Sequence, residues 1–120
     1  MLANQIYTNS IKTDFTFALS SFLDEFYRSD NKEILIKDEP IYEKGFEKEN
    51  SIIASVVHKL ANDYTINVPQ WVHNKKYILA KPYYQFDTTN KEYQEYLIDK
   101  SPMEFKQRNI YVDDNALKRV

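Results

Sequence analysis

The chain has 120 residues, of which 42% are apolar, 28% charged and 15% aromatic, and it contains no cysteine. That length suits one domain, spanning residues 1–120, able to hide roughly two-thirds of the surface its unfolded form exposes. Disulfides, thiolate metal sites and cysteine nucleophiles are excluded together, and the composition fits a reducing cytoplasm. The first twenty residues lack a basic start followed by an apolar run, and no stretch approaches the length needed to cross a bilayer, so a soluble cytoplasmic protein with no membrane partner is expected.

Sixteen basic and eighteen acidic side chains leave a net charge of -2, too balanced for a domain that holds nucleic acid chiefly by neutralising phosphates. The stretch from Asp24 to Glu49 is the most acidic, with nine carboxylates against five cations, and is suited either to a solvated surface or to a basic partner.

A single glycine leaves few positions for turns at positive φ, which favours helices joined by irregular loops over a sandwich or barrel. From Asp14 to Arg28, Phe15, Leu19, Phe22 and Phe26 recur at helical spacing, with Thr13 or Asp14 as the cap. Ile34, Leu35 and Ile36 form a brief apolar patch, Pro40 opposes helix continuation, and Gly45 marks a turn. Ile52, Ile53, Val56, Val57, Leu60, Ala61 and Tyr64 define a second helix with one broad apolar face and Asn50 or Ser51 as its cap, and His58 lies off that face. TINVPQWV, around Pro69, reads as an extended connector, and KKYILAKPYYQFD as either a short strand or an aromatic-pinned loop.

Asn90 to Asp99 reads as a short helix capped by Thr89 or Asn90. SPME at 101–104 carries a capping-box pattern, with Ser101 as cap, Pro102 at the first helical position and Glu104 reaching back. Ile110, Tyr111 and Val112 suit a tiny strand, and Asp113 or Asp114 would cap a last turn containing Ala116, Leu117 and Val120. The sum is a mainly α fold of about four to six short helices, with room for one minor β-hairpin.

Chemistry-bearing patterns are sparse. His58 and His73 stand in no helical metal-binding spacing, so neither a metal nor a cofactor is expected. With only Gly45 available, no nucleophile elbow, Walker loop or glycine-rich phosphate cradle can form, so the expectation is a protein that is not an enzyme. The aromatics between Tyr64 and Tyr96 are interleaved with Lys75, Lys76, Lys81 and Lys91. They suit helix seams, a protein contact or stacked single-stranded bases, the last being disfavoured by the net charge. Arg108 and Asn109 follow the capped turn: Arg108 suits helix-end carbonyls or an acidic partner group, and Asn109 suits a left-handed helix terminator.

In order, FALSSFLDEFY, DEP, LANDY, VPQWV, KPYY, SPMEFKQRNIYV and a final ALKRV resemble a family of small, mostly uncharacterised bacterial proteins associated with toxin–antitoxin loci. The resemblance spans nearly the whole chain and implies no catalytic residues. Trp71, Pro82, Phe105, Arg108 and Asn109 carry it as matches of fold. Together with the missing catalytic motifs and the aromatic excess, it points to a non-catalytic, antitoxin-like interaction protein that masks a protein partner, and Trp71, Tyr77, Tyr83, Tyr84, Arg108 and Asn109 are the candidate contact residues. The alternative is a DNA-binding regulatory module.

Overall fold

The computed structural model describes the backbone of residues 5–115 and the side chains of residues 15–115. The expected last turn around Ala116 to Val120 lies outside these residues. The described chain is mainly α, in agreement with the sequence reading. Its α-helices are α1 (Gln5–Arg28), α2 (Lys32–Ile36), α3 (Glu47–Asp63), α4 (Lys91–Lys100) and α5 (Met103–Lys106), and its two short strands are β1 (Tyr83–Tyr84) and β2 (Ile110–Tyr111). Single 3-10 turns occupy Gln70–His73, Lys75–Tyr77 and Gln85–Asp87.

The first helix begins well before the expected cap at Thr13 or Asp14, because no glycine or proline stands between Gln5 and Asp14 to interrupt it. Its inner stripe, Ala18, Phe22, Leu23 and Phe26, is buried against α2 and α3. At its end the Lys32 ammonium donates to the Ser29 carbonyl at 2.7 Å and lies over the Phe26 and Tyr64 rings. The apolar patch at 34–36 belongs to α2, which buries Ile36.

α3 is the axis of the molecule. From Asn50 to Ala61 nearly every position is buried, including Ser51, Ser55 and His58, so the expected single apolar face wraps most of the way round. Asn50 and Ser51 therefore do not cap the helix. Asn50 donates from Nδ2 to the Glu43 carbonyl, and the Ser51 hydroxyl donates to the Tyr77 carbonyl, tying the flanking loops to the helix. The end of α3 is a Schellman motif with Thr65 in the left-handed conformation (φ 54): Ile66 N–H donates to the Ala61 carbonyl and Thr65 N–H to the Asn62 carbonyl.

The expected extended connector TINVPQWV enters a 3-10 turn at Gln70–His73, and a second turn at Lys75–Tyr77 opens the KKYILAKPYYQFD segment; Val72 and Tyr77 pin the two to the core. The Trp71 indole donates to the Ile36 carbonyl at 3.3 Å, and the Trp71 and Tyr77 rings meet edge to face. Asn90 caps α4 as expected, accepting from Tyr93 N–H at 2.9 Å. The capping box at 101–104 does not form. Ser101 is buried, accepts from Val112 N–H at 2.7 Å and presents its one hydroxyl proton to the Leu97 and Val112 carbonyls, while Pro102 occupies the cap of α5. Ser101 thus fastens α4 to the chain beyond β2.

β1 and β2 pair in parallel, Tyr83 with Ile110 and Tyr84 with Tyr111. A hairpin is impossible here because α4 and α5 fill the connection and return the chain in the same direction. Replacing Ser101 by Ala removes the acceptor for Val112 N–H inside the protein. The expected result is a loss of about 1–3 kcal/mol in urea unfolding, and an unchanged midpoint would refute the fastening role.

Candidate functional site

Two regions bring together polar or aromatic groups in ways that helix packing alone does not require. One is interior. α3 presents His58, and the turn after α5 presents Arg108, which is 2% exposed. Arg108 Nη1 donates to the Glu104 carbonyl at 2.6 Å and approaches His58 Nδ1 at 3.2 Å, and Nη2 donates to the Val72 carbonyl at 2.8 Å. Gln107 Nε2 approaches the same His58 nitrogen at 3.0 Å. Two donors converge on Nδ1, so that nitrogen accepts and the imidazole carries its proton on Nε2.

Burial, and then the Arg108 charge, lower the His58 pKa from its ordinary 6.5, opposed by Glu104. Burial also lowers Arg108 to about 10, opposed by Glu104, and leaves it cationic near neutral pH. No carboxylate lies within 4.0 Å of Arg108 among the described residues. The Glu104 carboxylate instead accepts from Asn62 Nδ2 at 2.8 Å; burial pushes its pKa up, but that bond and its own backbone N–H bring the net shift below the usual range. His73 meets His58 edge to face, with ring centroids 5.2 Å apart. No third metal-binding side chain completes a set with these histidines among the described residues. Above Arg108 opens a cleft of about 220 Å³ lined by Val72, His73, Asn74, Ile78, Gln107 and Arg108.

The other region is a surface formed by α4, both strands and the Gln85–Asp87 turn. Tyr84 stacks on Tyr111 at 5.3 Å, and Tyr93 stacks on Tyr96 at 5.9 Å. Asp113 links them: its carboxylate accepts from the Tyr96 hydroxyl at 2.8 Å, and its backbone N–H donates to the Gln85 side chain at 2.8 Å. Next to Gln85 stands Phe86, 78% exposed and held at φ 62, with Asp87 also at positive φ. In sequence, the turn, α4 and the residues after β2 carry Asp87, Glu92, Glu95, Asp99, Asp113 and Asp114 against Lys91 and Lys100, and the Lys48 ammonium lies over the Tyr83 ring at 4.9 Å.

The candidate contact residues divide between the two regions. Tyr77 is buried, with its hydroxyl on Glu39 at 2.6 Å and its pKa raised by burial and that carboxylate, so it belongs to the core. Arg108 is likewise interior and takes the structural role of bonding helix-end carbonyls. Asn109 adopts the left-handed conformation (φ 67), donates from Nδ2 to the Leu79 carbonyl and accepts Tyr83 N–H on its carbonyl, joining the 79–83 segment to β2. Trp71 is half-buried in the Ile36 seam. Tyr83 and Tyr84 are half-buried beside the exposed aromatic surface.

Sequence reasoning missed His58, Glu104 and Phe86. The i, i+4 spacings of His58 with Asn62 and of Glu104 with Arg108 were the available signals for the interior cluster. Nothing in QFD announces a left-handed phenylalanine. Among known protein families, curated proteins and solved structures, no match to this chain is found.

A histidine kept neutral in the fold destabilises it once the unfolded chain takes up a proton that the folded one resists. Stability is therefore full above the ordinary pKa of 6.5 and falls as the pH drops below it, levelling off below the folded pKa. Glu39 and Glu104, both lowered from 4.5, act further down. Urea midpoints across about pH 5 to 8 are expected to show this slope in the wild type and a flattened one in His58→Gln; an equal slope in both would refute the assignment.

Proposed function

We propose that this protein is a non-catalytic interaction module that covers a basic surface of a protein partner with the acid-rimmed aromatic face around Phe86. The observation that carries this reading is Phe86 itself. A left-handed backbone costs a residue with a side chain about 1–2 kcal/mol, and the ring so displayed is surrounded by water and repays none of it within the fold. Exposed aromatic anchors bring large contact area at small entropic cost, which suits a binding hot spot.

Charge supports the choice of partner. The turn, α4 and the residues after β2 carry six acids against Lys91 and Lys100, a local excess of negative charge that repels a phosphate backbone and attracts Lys- and Arg-rich surfaces. Planar rings beside anionic groups offer a nucleic-acid-binding partner the features its ligand presents, which is how an antitoxin-like role would work. Elsewhere the lysines are scattered, and Lys76 is engaged by Glu39 at 2.9 Å, which leaves the DNA-binding alternative without a basic track. No helix among the described residues is long and apolar enough to cross a membrane.

Phe86→Gly separates binding from folding. The substitution is expected to raise fold stability by about 1 kcal/mol, read by urea unfolding, because glycine accepts the left-handed conformation without strain. The same variant, immobilised beside wild type and Lys37→Gln in lysate of the source cells, is expected to lose a protein that the other two retain. Rebinding of that purified protein should weaken by roughly tenfold or more in Phe86→Gly and weaken with added salt. Equal retention by all three variants, or tight salt-sensitive binding of duplex DNA by the wild type, would overturn the reading.

A further inference from the structure

We propose that the cleft above Arg108 is a binding site for a small aliphatic carboxylate, separate from the aromatic face. Arg108, one of the residues that line it, is almost wholly withdrawn from water, yet among the described residues no carboxylate pairs with it. Of the five N–H groups an arginine carries, three are used by the Glu104 carbonyl, the Val72 carbonyl and His58. The Nε–H and one N–H of Nη2 remain without a partner among the described residues. A buried cation with unused donors at the base of an open cleft favours an oxyanion that supplies the missing charge and acceptors.

The rest of the lining agrees. None of the six lining residues is acidic. The Asn74 Oδ1 atom is already taken by Lys76 N–H at 3.0 Å, so what that side chain has left to offer is its amide donors. His73, exposed at the rim, adds an imidazole able to donate to an anion. Val72 and Ile78 supply apolar walls, and Ile78 is 52% exposed there. One permanent cation and two aliphatic walls suit a single negative charge with a short hydrocarbon tail better than a phosphate, whose extra charge and oxygens call for more cations. Lys76 pairs with Glu39 at 2.9 Å and is not among the lining residues.

Butyrate is the probe, with inorganic phosphate and chloride at matched ionic strength, followed through the Arg108 Nε–H and His73 ring resonances of isotopically labelled protein. Butyrate is expected to shift both saturably, and chloride is not. Asn74→Asp keeps an oxygen for Lys76 N–H, so the turn persists, but it sets a competing carboxylate in the lining of the cleft. Butyrate affinity in that variant is expected to fall by roughly tenfold while its thermal unfolding stays near wild type. A shift that does not saturate, an equal response to chloride, tighter binding of phosphate than butyrate, or unchanged affinity in folded Asn74→Asp would each overturn the proposal. None of these outcomes depends on Phe86, so failure here leaves the aromatic-face reading standing.

Discussion

The fold turns on a buried guanidinium. Arg108 reaches the carbonyl at the end of α5, the Val72 carbonyl in the first 3-10 turn and the imidazole on α3, and so ties together three segments distant in sequence. Withdrawing a charge from water costs several kcal/mol unless its donors are met, so these three acceptors are a condition of the packing as much as a consequence of it. Burial, and then that cation, lower the His58 pKa, which favours the neutral imidazole whose Nδ1 lone pair faces the guanidinium. With its acceptors in place, α5 and the 70–77 segment can close over α3, whose Ser51 and Ser55 are small enough to be buried there and satisfied by backbone carbonyls.

A chain with one glycine must make its left-handed turns from other residues, and the places where it does so differ in kind. Gly45 takes φ 88 without penalty. Asn109 is a residue type that tolerates this conformation, and its side chain earns a bond to Leu79. Thr65 is β-branched and strained, but the Schellman bonds that end α3 offset the strain. Phe86 has no such compensation from its side chain, because the ring lies in solvent. The turn is braced by Thr88 N–H on the Gln85 carbonyl, by Asp113 N–H on the Gln85 side chain and by the Tyr83 hydroxyl facing the Phe86 backbone N–H; burial raises the pKa of that hydroxyl, and the N–H opposes the rise. The turn is held by its surroundings, and the ring is what it exposes.

Much of the helical architecture was legible in the residues, because hydrophobic spacing is a local record of burial. The stripes of α1 and α3, the Asn90 cap and the left-handed Asn109 all follow from side chains acting on their own neighbourhood. What escaped was decided by distant partners. Ser101 and Glu104 satisfy the capping-box pattern perfectly well in sequence, yet Val112 and Asn62 offer them buried partners that a cap does not. Asn50 and Ser51 are drawn the same way into bonds with Glu43 and Tyr77. His58 looked peripheral because the apolar stripe left it out, and it is interior because Arg108 arrives from the far end of the chain. The strands paired in parallel for a related reason: the ladder depends on where α4 and α5 deliver the chain, which no short motif records.

The two candidate surfaces share a scaffold and differ in sign. Leu79 N–H donates to the Arg108 carbonyl and Tyr83 N–H to the Asn109 carbonyl, so a single run of backbone braces the cleft on one side and the aromatic face on the other. A single-stranded nucleic acid needs stacking rings and cations along one path. Here Lys48 lies over Tyr83, but among the described residues no cation sits over the stacked Tyr84–Tyr111 and Tyr93–Tyr96 pairs, and Arg108 is buried beside a cleft lined in part by Val72 and Ile78. The stacked pairs thus lack the run of cations that a polyanion would need, and the two proposed ligands, a basic protein on the rings and a lone carboxylate beside Arg108, differ on that basis. Because Arg108 supports both, its loss would disturb both at once, and only changes at the rims, where the backbone is already held, can tell the two surfaces apart.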